Sequence, residues 1–208
     1  MVIYERRLDH DLDWALREGS RHFENESAVH KTLAKITRRL DRCGIPYAVA
    51  GTMALFCHGL RRFTERIDLL VTPQDLNEIH AQLEGLGYVP VFTGSKNLRD
   101  AEYGVRIEFL TTGDYPGDGK PKPVAFPDPR NAQTEIEGIR CLQLPALIEL
   151  KLASGMTNPG RLKDLADVQE LIRVLHLPRD EMAAQLNGYV QDKYRELWDA
   201  VQNAPPGP

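Results

Sequence analysis

Apolar residues between Glu26 and Cys43 step by four and three, placing Val29, Leu33, Ile36, Leu40 and Cys43 on one stripe. Gly44 and Pro46 close the segment, so a helix packed on a core is predicted there. Leu8, Leu12 and Leu16 repeat at helical spacing over 8–18, with Gly19 as the expected stop. Next comes the β-compatible YAVAG (47–51), a short helix in TMALFCHG, and the buried-strand run IDLLV (67–71). Thr72 and Pro73 read as N-cap and first-turn proline of another helix, carrying Leu76, Ile79, Leu83 and Leu86 inward until Gly87.

YVPVF (88–92) and VRIEFLT (105–111) are strand-like, joined by a polar connection. Residues 112–131 contain Pro116, Pro121, Pro123, Pro127 and Pro129, which exclude helix and central strand, so a long loop is expected. TEIEGIRCLQL predicts two short strands around Gly138. Pro145 opens a helix through Ser154, and Gly160 to His176 forms another with Leu162, Leu165, Val168 and Ile172 aligned. Residues 179–202 add one or two helices. The pattern predicts an α+β fold: N-terminal helices over 1–44 packing on the core, a small mixed sheet flanked by helices over 45–143, a helical region over 144–203, and a disordered tail at 204–208.

Composition narrows the function classes. With 208 residues, 42% hydrophobic and 27% charged, the chain can bury a core. A net charge of -4 gives no global attraction to nucleic acid, so a dedicated DNA binder is excluded and any such partner needs a local basic patch. Cys43, Cys57 and Cys141 lack metal-ligand spacing and suggest reduced thiols. The charged start MVIYERRLDHDLDW does not read as a secretory signal, and no stretch is long enough to span a bilayer, so a cytoplasmic location is expected.

Candidate chemistry concentrates after the first strand. Gly51 directly follows it, which lets the backbone approach a phosphate or simply permits a tight turn; Thr52 adds a hydroxyl. Asp68 lies inside an apolar strand, where a carboxylate is expensive unless it is paired or holds a metal. By alternation Arg66, Asp68 and Leu70 share one strand face, as do Arg106, Glu108 and Leu110. Glu108 is either a second acidic ligand or an ion-pair partner of Arg106 or Arg66. Downstream, Lys151, Arg161, Lys163, Asp164 and Asp167 form a charged helical group, with Asp164 and Asp167 on one face. His58 ends the short helix, as a phosphate ligand or as a satisfied helix-end histidine, while His30, His80 and His176 have no evident partners.

These motifs, in this order from about Ile45 to Ile172, resemble the nucleotidyltransferase superfamily, and more closely its AbiEii/AbiGii abortive-infection toxin-type branch. The resemblance implies the nucleotidyltransferase fold and Mg2+-dependent transfer of a nucleotidyl group from an NTP to a tRNA or protein hydroxyl, with an antitoxin as a further partner. It assigns Asp68 and Glu108 to catalysis and metal, Gly51, Thr52, Lys151 and Lys163 to nucleotide phosphate, and Arg66, Arg161, Asp164 and Asp167 to support. Lys120 and Lys122 of the Pro-rich loop are expected to meet the acceptor or phosphate tail. Two departures matter: Thr52 stands where the family has glycine or serine, and Arg66 where it has the first metal-binding aspartate. Arginine there opens an alternative, a pseudo-enzyme that binds a nucleotide or partner protein without chemistry, its guanidinium bridging Asp68 and Glu108 in place of an ion. A β-bulge that swings Glu65 onto the Asp68 face would restore the missing acid.

Overall fold

Helix α3 (Ala28–Cys43) forms where the apolar stripe predicts it, because Ser27 accepts a hydrogen bond from the His30 N–H at its start and Gly44 adopts a left-handed conformation at its end. The computed structural model describes residues 3–203, so the expected tail at 204–208 lies outside the described residues. Two helices precede α3. In α1 (Tyr4–His10) and α2 (Leu12–Phe23) the chain breaks at Asp11, whose carboxylate accepts from the Trp14 N–H. Gly19 does not stop α2.

The leucines of α2 correct the simple periodic reading. Leu12 and Leu16 are 72% and 64% exposed, while the buried side of α2 carries Glu18 and His22. Glu18 accepts from the Tyr4 hydroxyl at 3.2 Å and the Ala28 N–H at 2.5 Å; His22 pairs with Ser27 Oγ at 3.3 Å and the Arg62 carbonyl at 2.9 Å. Every buried polar group on this face has found a partner, which makes a polar inward face tolerable.

Seven strands make one mixed sheet: β1 (Ala48–Ala50), β2 (Arg66–Val71), β3 (Tyr88–Pro90), β4 (Leu98–Asp100), β5 (Arg106–Thr111), β6 (Gln133–Ile136) and β7 (Ile139–Leu142), in the spatial order β3-β4-β5-β2-β1-β7-β6. β2 runs parallel to β5 and antiparallel to β1, and β1 runs parallel to β7. The connection read as merely polar contains β4, which pairs with β5 through Leu98 and Arg99.

The sheet separates two cores. On one face Val29, Leu33, Ile36 and Leu40 of α3 pack with Ile67, Leu69, Val71, Ile107 and Phe109, joined by α5 (Pro73–Leu83). On the other, Ala48, Ala50 and Leu70 meet α7 (Leu144–Thr157), α8 (Leu162–Leu175) and α10 (Gly188–Asn203), with α4 (Gly51–Cys57) and α9 (Arg179–Ala183) at their margins. A one-turn helix, α6 (Pro129–Ala132), precedes β6. α5 ends at Leu83, leaving Leu86 65% exposed rather than inward; Leu162, also 64% exposed, gives its expected core position to Leu171. No helix among the described residues is long and apolar enough to cross a membrane.

The two leucine-type stripes differ in consequence. Ile36→Ala, at a fully buried position of α3, is expected to lower unfolding free energy by about 2–5 kcal/mol, whereas Leu16→Ala should change it by under about 0.5 kcal/mol. Urea denaturation of both variants measures this, and equal losses would contradict the inward and outward assignments.

Candidate functional site

Parallel pairing of β2 with β5 sets Arg66 beside Arg106 and Asp68 beside Glu108. Leu70 and Leu110 continue the same face into the α7–α8 core, so the four charged side chains end at the edge of that core. Arg66 Nε lies 3.1 Å from Asp68 Oδ1 and 3.2 Å from Glu108 Oε2; Arg106 Nη2 lies 2.9 Å from Glu108 Oε1. Burial alone would pull the Arg66 pKa down, yet the Asp68 and Glu108 carboxylates more than offset it and raise it. Burial, with a contribution from Asp68, pushes the Glu108 carboxyl above its ordinary range against the pull of Arg66 and Arg106.

Gly51 is required here for space as well as for conformation. Its φ is +58°, and a Cβ would overlap the Asp68 carboxylate, standing 2.9 Å from Cγ. The strand-to-helix turn from β1 into α4 thus lies directly against the Asp68 side chain. Thr52 follows at the wall of a cleft of about 300 Å³, whose lining also includes Arg62, Arg66, Asp68, Lys151 and Lys163. An adjoining recess of about 160 Å³ exposes Glu108 and is walled by Pro116, Gly117 and Phe126 of the Pro-rich loop. Gly117 lets that loop press on α7, where a Cβ would meet the Ser154 backbone at 2.8 Å, and Asn158 Nδ2 donates to the Gly117 carbonyl at 3.2 Å.

Across the cleft, α7 presents Lys151 to α8. The ammonium donates to Asp164 Oδ1 at 3.1 Å and Asp167 Oδ2 at 2.7 Å, and is buried with both. Ser154 Oγ donates to Asp164 at 2.7 Å, Arg161 Nε donates to it at 2.9 Å, and Arg62 pairs with Asp167. Burial would raise the Asp164 pKa, but the Lys151 ammonium, the Ser154 hydroxyl and Arg161 outweigh it and hold the carboxyl below its ordinary value. Within the charged helical group Lys151, Asp164 and Asp167 are a satisfied buried network, and Lys163 is exposed.

All ten residues that the family resemblance assigns to catalysis, phosphate or support border the cleft or its recess. Sequence reasoning missed Arg62 and Glu5, while Arg106 is the ion-pair partner it offered for Glu108; Glu5, from α1, accepts from Arg99 at 2.7 Å and approaches Arg106 at 3.8 Å. Arg62 carried a faint signal in the basic pair after Gly59; Glu5 carried none. Lys120 and Lys122 line neither space, and Lys122 is turned back on its own loop, 2.6 Å from the Pro116 carbonyl and 2.5 Å from Asp118. His58 is the satisfied helix-end residue, bonded to the Leu142 carbonyl at 2.7 Å. His30 and His80 do have partners, in Ser27 and in Glu84 with the Lys96 carbonyl.

A divalent ion needs several converging oxygen ligands whose charge is not already compensated. β2 keeps unbroken register from Arg66 to Val71, so no bulge brings Glu65 onto the Asp68 face, and Glu65 is exposed before the strand. Arg66 Nε occupies the position between the two carboxylates, and a second arginine holds Glu108 from the other side. Among the described residues no three His, Cys, Asp or Glu side chains converge as a metal cage. In this arrangement the residues do not fit Mg2+, because their negative charge is already matched by guanidinium groups.

Two stability tests follow from the geometry. Gly51→Ala should cost more than about 1 kcal/mol, from the left-handed backbone and the overlap with Asp68; a neutral effect in urea denaturation would refute the close approach. Asp164→Asn should cost about 3–5 kcal/mol at pH 7 by unbalancing the buried network. Because its folded pKa is depressed, the Asp164 contribution is present above the unfolded value of about 3.9 and lost as pH falls through the folded one. The gap between wild type and Asp164→Asn should therefore narrow at pH 3; a gap of equal size at both pH values would remove the ionised pair as its cause.

No family model matches the chain, and no curated protein does so either. Among solved structures, the solution structure of the antibiotic-resistance factor ANT(2'')-Ia superimposes with a TM-score of 0.52 at 16% identity, over 81% of this chain and 92% of that one. The crystal structure of ANT(2'')-Ia in complex with adenylyl-2''-tobramycin gives 0.51 at 16% identity, over 83% and 95%. With its mixed sheet and flanking helices, this chain has the nucleotidyltransferase fold.

Proposed function

We propose that the cleft binds a nucleoside triphosphate and that the chain is a nucleotidyltransferase-like protein, transferring a nucleotidyl group to a tRNA or protein hydroxyl. The observation that carries the reading is the cleft's charge pattern. Arg62, Arg66, Arg106, Lys151, Arg161 and Lys163 converge on one space beside Gly51 and Thr52, and Lys163, exposed at the start of α8, pairs with no carboxylate among the described residues. A triphosphate laid against Gly51 and Thr52 would meet Lys163 and Arg161, while Lys151 acts from behind by holding Asp164 and Asp167 in place. The similar fold of ANT(2'')-Ia, whose crystal structure is in complex with adenylyl-2''-tobramycin, supports nucleotide binding. The toxin-type role and an antitoxin partner rest on the resemblance of the sequence motifs alone.

The Arg66 contacts favour a second reading, binding without transfer. Guanidinium already bridges the two carboxylates that the family resemblance assigns to Mg2+, so a nucleotide can be held by arginine and lysine with the metal position closed. Mg2+ would supply charge neutralisation and nucleophile activation in a transferase of this fold; here Asp68 and Glu108 hold Arg66 instead.

Titration calorimetry of ATP, GTP, CTP and UTP, with and without Mg2+, on the wild type and on Arg66→Asp separates these readings. The contacts of Arg66 predict wild-type binding that is unchanged by Mg2+, and a gain of tenfold or more with Mg2+ in Arg66→Asp. Tenfold tightening of the wild type by Mg2+ would remove the second reading and retain transfer. No binding of any triphosphate by either form would remove both. Lys163→Ala should weaken the wild-type interaction several-fold, through loss of one exposed cation from the phosphate wall.

A further inference from the structure

Helix α3 has an outer face as regular as its inner one. Lys31, Lys35, Arg38 and Arg42 recur at i, i+4, i+7 and i+11, within an arc of about 60° and a length of about 16 Å at helical geometry. Val29, Leu33, Ile36 and Leu40 occupy the opposite side, in the core. A line of four cations on a chain of net charge -4 is a local patch of the kind the overall charge does not predict.

The acids that could neutralise the line are mostly engaged elsewhere. Lys35 pairs with Asp100 at 2.7 Å and Glu102 at 3.0 Å, while Asp41 turns to Arg140 at 3.1 Å. Among the described residues no carboxylate pairs with Lys31, Arg38, Arg39 or Arg42. A separate observation points to a ligand. Lys35, Arg38, Arg39 and Arg42 border a pocket of about 220 Å³ with Leu86 and Tyr88 as its apolar wall. Tyr88 is only 2% exposed, and its hydroxyl has no hydrogen-bond partner; the buried Arg39 Nε has none either. Unsatisfied buried donors are uncommon in folded proteins and call for a partner.

We propose that this pocket and the cationic line of α3 form a second phosphate site, on the side of the sheet away from the cleft, that takes a nucleotide-sized phosphate ester. Phosphate oxygens pair with Arg38, Arg39 and Arg42, the base or sugar lies along the exposed Leu86, and the Tyr88 hydroxyl donates to a polar atom of the ligand. Lys31 extends the charge beyond the pocket, along the path that the next phosphates of a strand would follow. The shared chemistry is the phosphate ester, whether free in a mononucleotide or carried by a single-stranded RNA.

The test uses the full chain and Arg38→Glu/Arg42→Glu, two exposed changes on a helix whose inner face is untouched, with circular dichroism to confirm equal folding. Fluorescence anisotropy with a labelled single-stranded RNA 12-mer, competed by AMP and by inorganic phosphate, reads the site. The expected result is at least tenfold weaker RNA or AMP binding in the variant and a shallower salt dependence, with triphosphate binding at the cleft unchanged. Competition by AMP at full amplitude identifies a free nucleotide as the source, and binding of the 12-mer that AMP does not displace identifies a strand. Wild-type and variant proteins that bind all three probes equally, or not at all, overturn the proposal. Since Lys163→Ala and Arg66→Asp address only the cleft, failure there leaves this site standing, and the reverse.

Discussion

Two like-charged pairs lie side by side across the β2–β5 ladder, Arg66 with Arg106 and Asp68 with Glu108, and the site is organised by the need to separate them. Like charges directly across a sheet destabilise it, so the side chains resolve the conflict diagonally: Arg66 reaches both carboxylates, and Arg106 divides between Glu108 and Glu5. That solution draws α1 into the site, because Glu5 also satisfies the buried Arg99 of β4. One register choice thus accounts for the closed carboxylate pair and for the docking of the N-terminal helix beside it.

The second organising group is Lys151 with Asp164 and Asp167. Desolvating an ammonium and two carboxylates is unfavourable, and mutual pairing offsets it only when the remaining donors and acceptors are also satisfied. Ser154, Arg161 and Arg62 do this. Arg62 belongs to the segment between α4 and β2, whose carbonyl at Arg62 is held by His22 of α2. The network therefore ties the C-terminal helices to the N-terminal ones across the cleft mouth, and it fixes Arg161, which borders the proposed phosphate wall, in a defined orientation.

Legibility of the sequence follows the source of each stabilising force. β2 and β5 could be read because apolar residues alternate with Arg66, Asp68 and Glu108, and burial on one face enforces that alternation. Helix α3 could be read because both its stripe and its caps agree. In contrast β4, with only Leu98 to Asp100, is buried through polar contacts: Asp100 accepts from Thr32 and Lys35, and Arg99 donates to Glu5. Periodicity of apolar residues carries no information about such a strand. The same holds for α2, where Glu18 and His22 face inward and the leucines face out. The site residues on β2, β5, α7 and α8 were visible as charges in apolar or ordered surroundings, whereas Glu5 and Arg62 join the site only through tertiary contact.

Arginine at position 66 does more than subtract a metal ligand. Its charge persists at every pH the fold tolerates, so Asp68 and Glu108 are compensated without the exchangeable ion that two adjacent carboxylates otherwise attract. A lysine would supply the same charge, but as a compact, strongly hydrated ammonium that shifts its pKa readily when buried, as Arg66 partly is. A neutral residue would leave Glu108, already pushed up by burial, to take a proton and share it with Asp68. Arg66 therefore bridges both carboxylates, and its charge opposes the burial that pushes the Glu108 carboxyl up. That pairing lets the fold keep two adjacent carboxylates at the edge of its core.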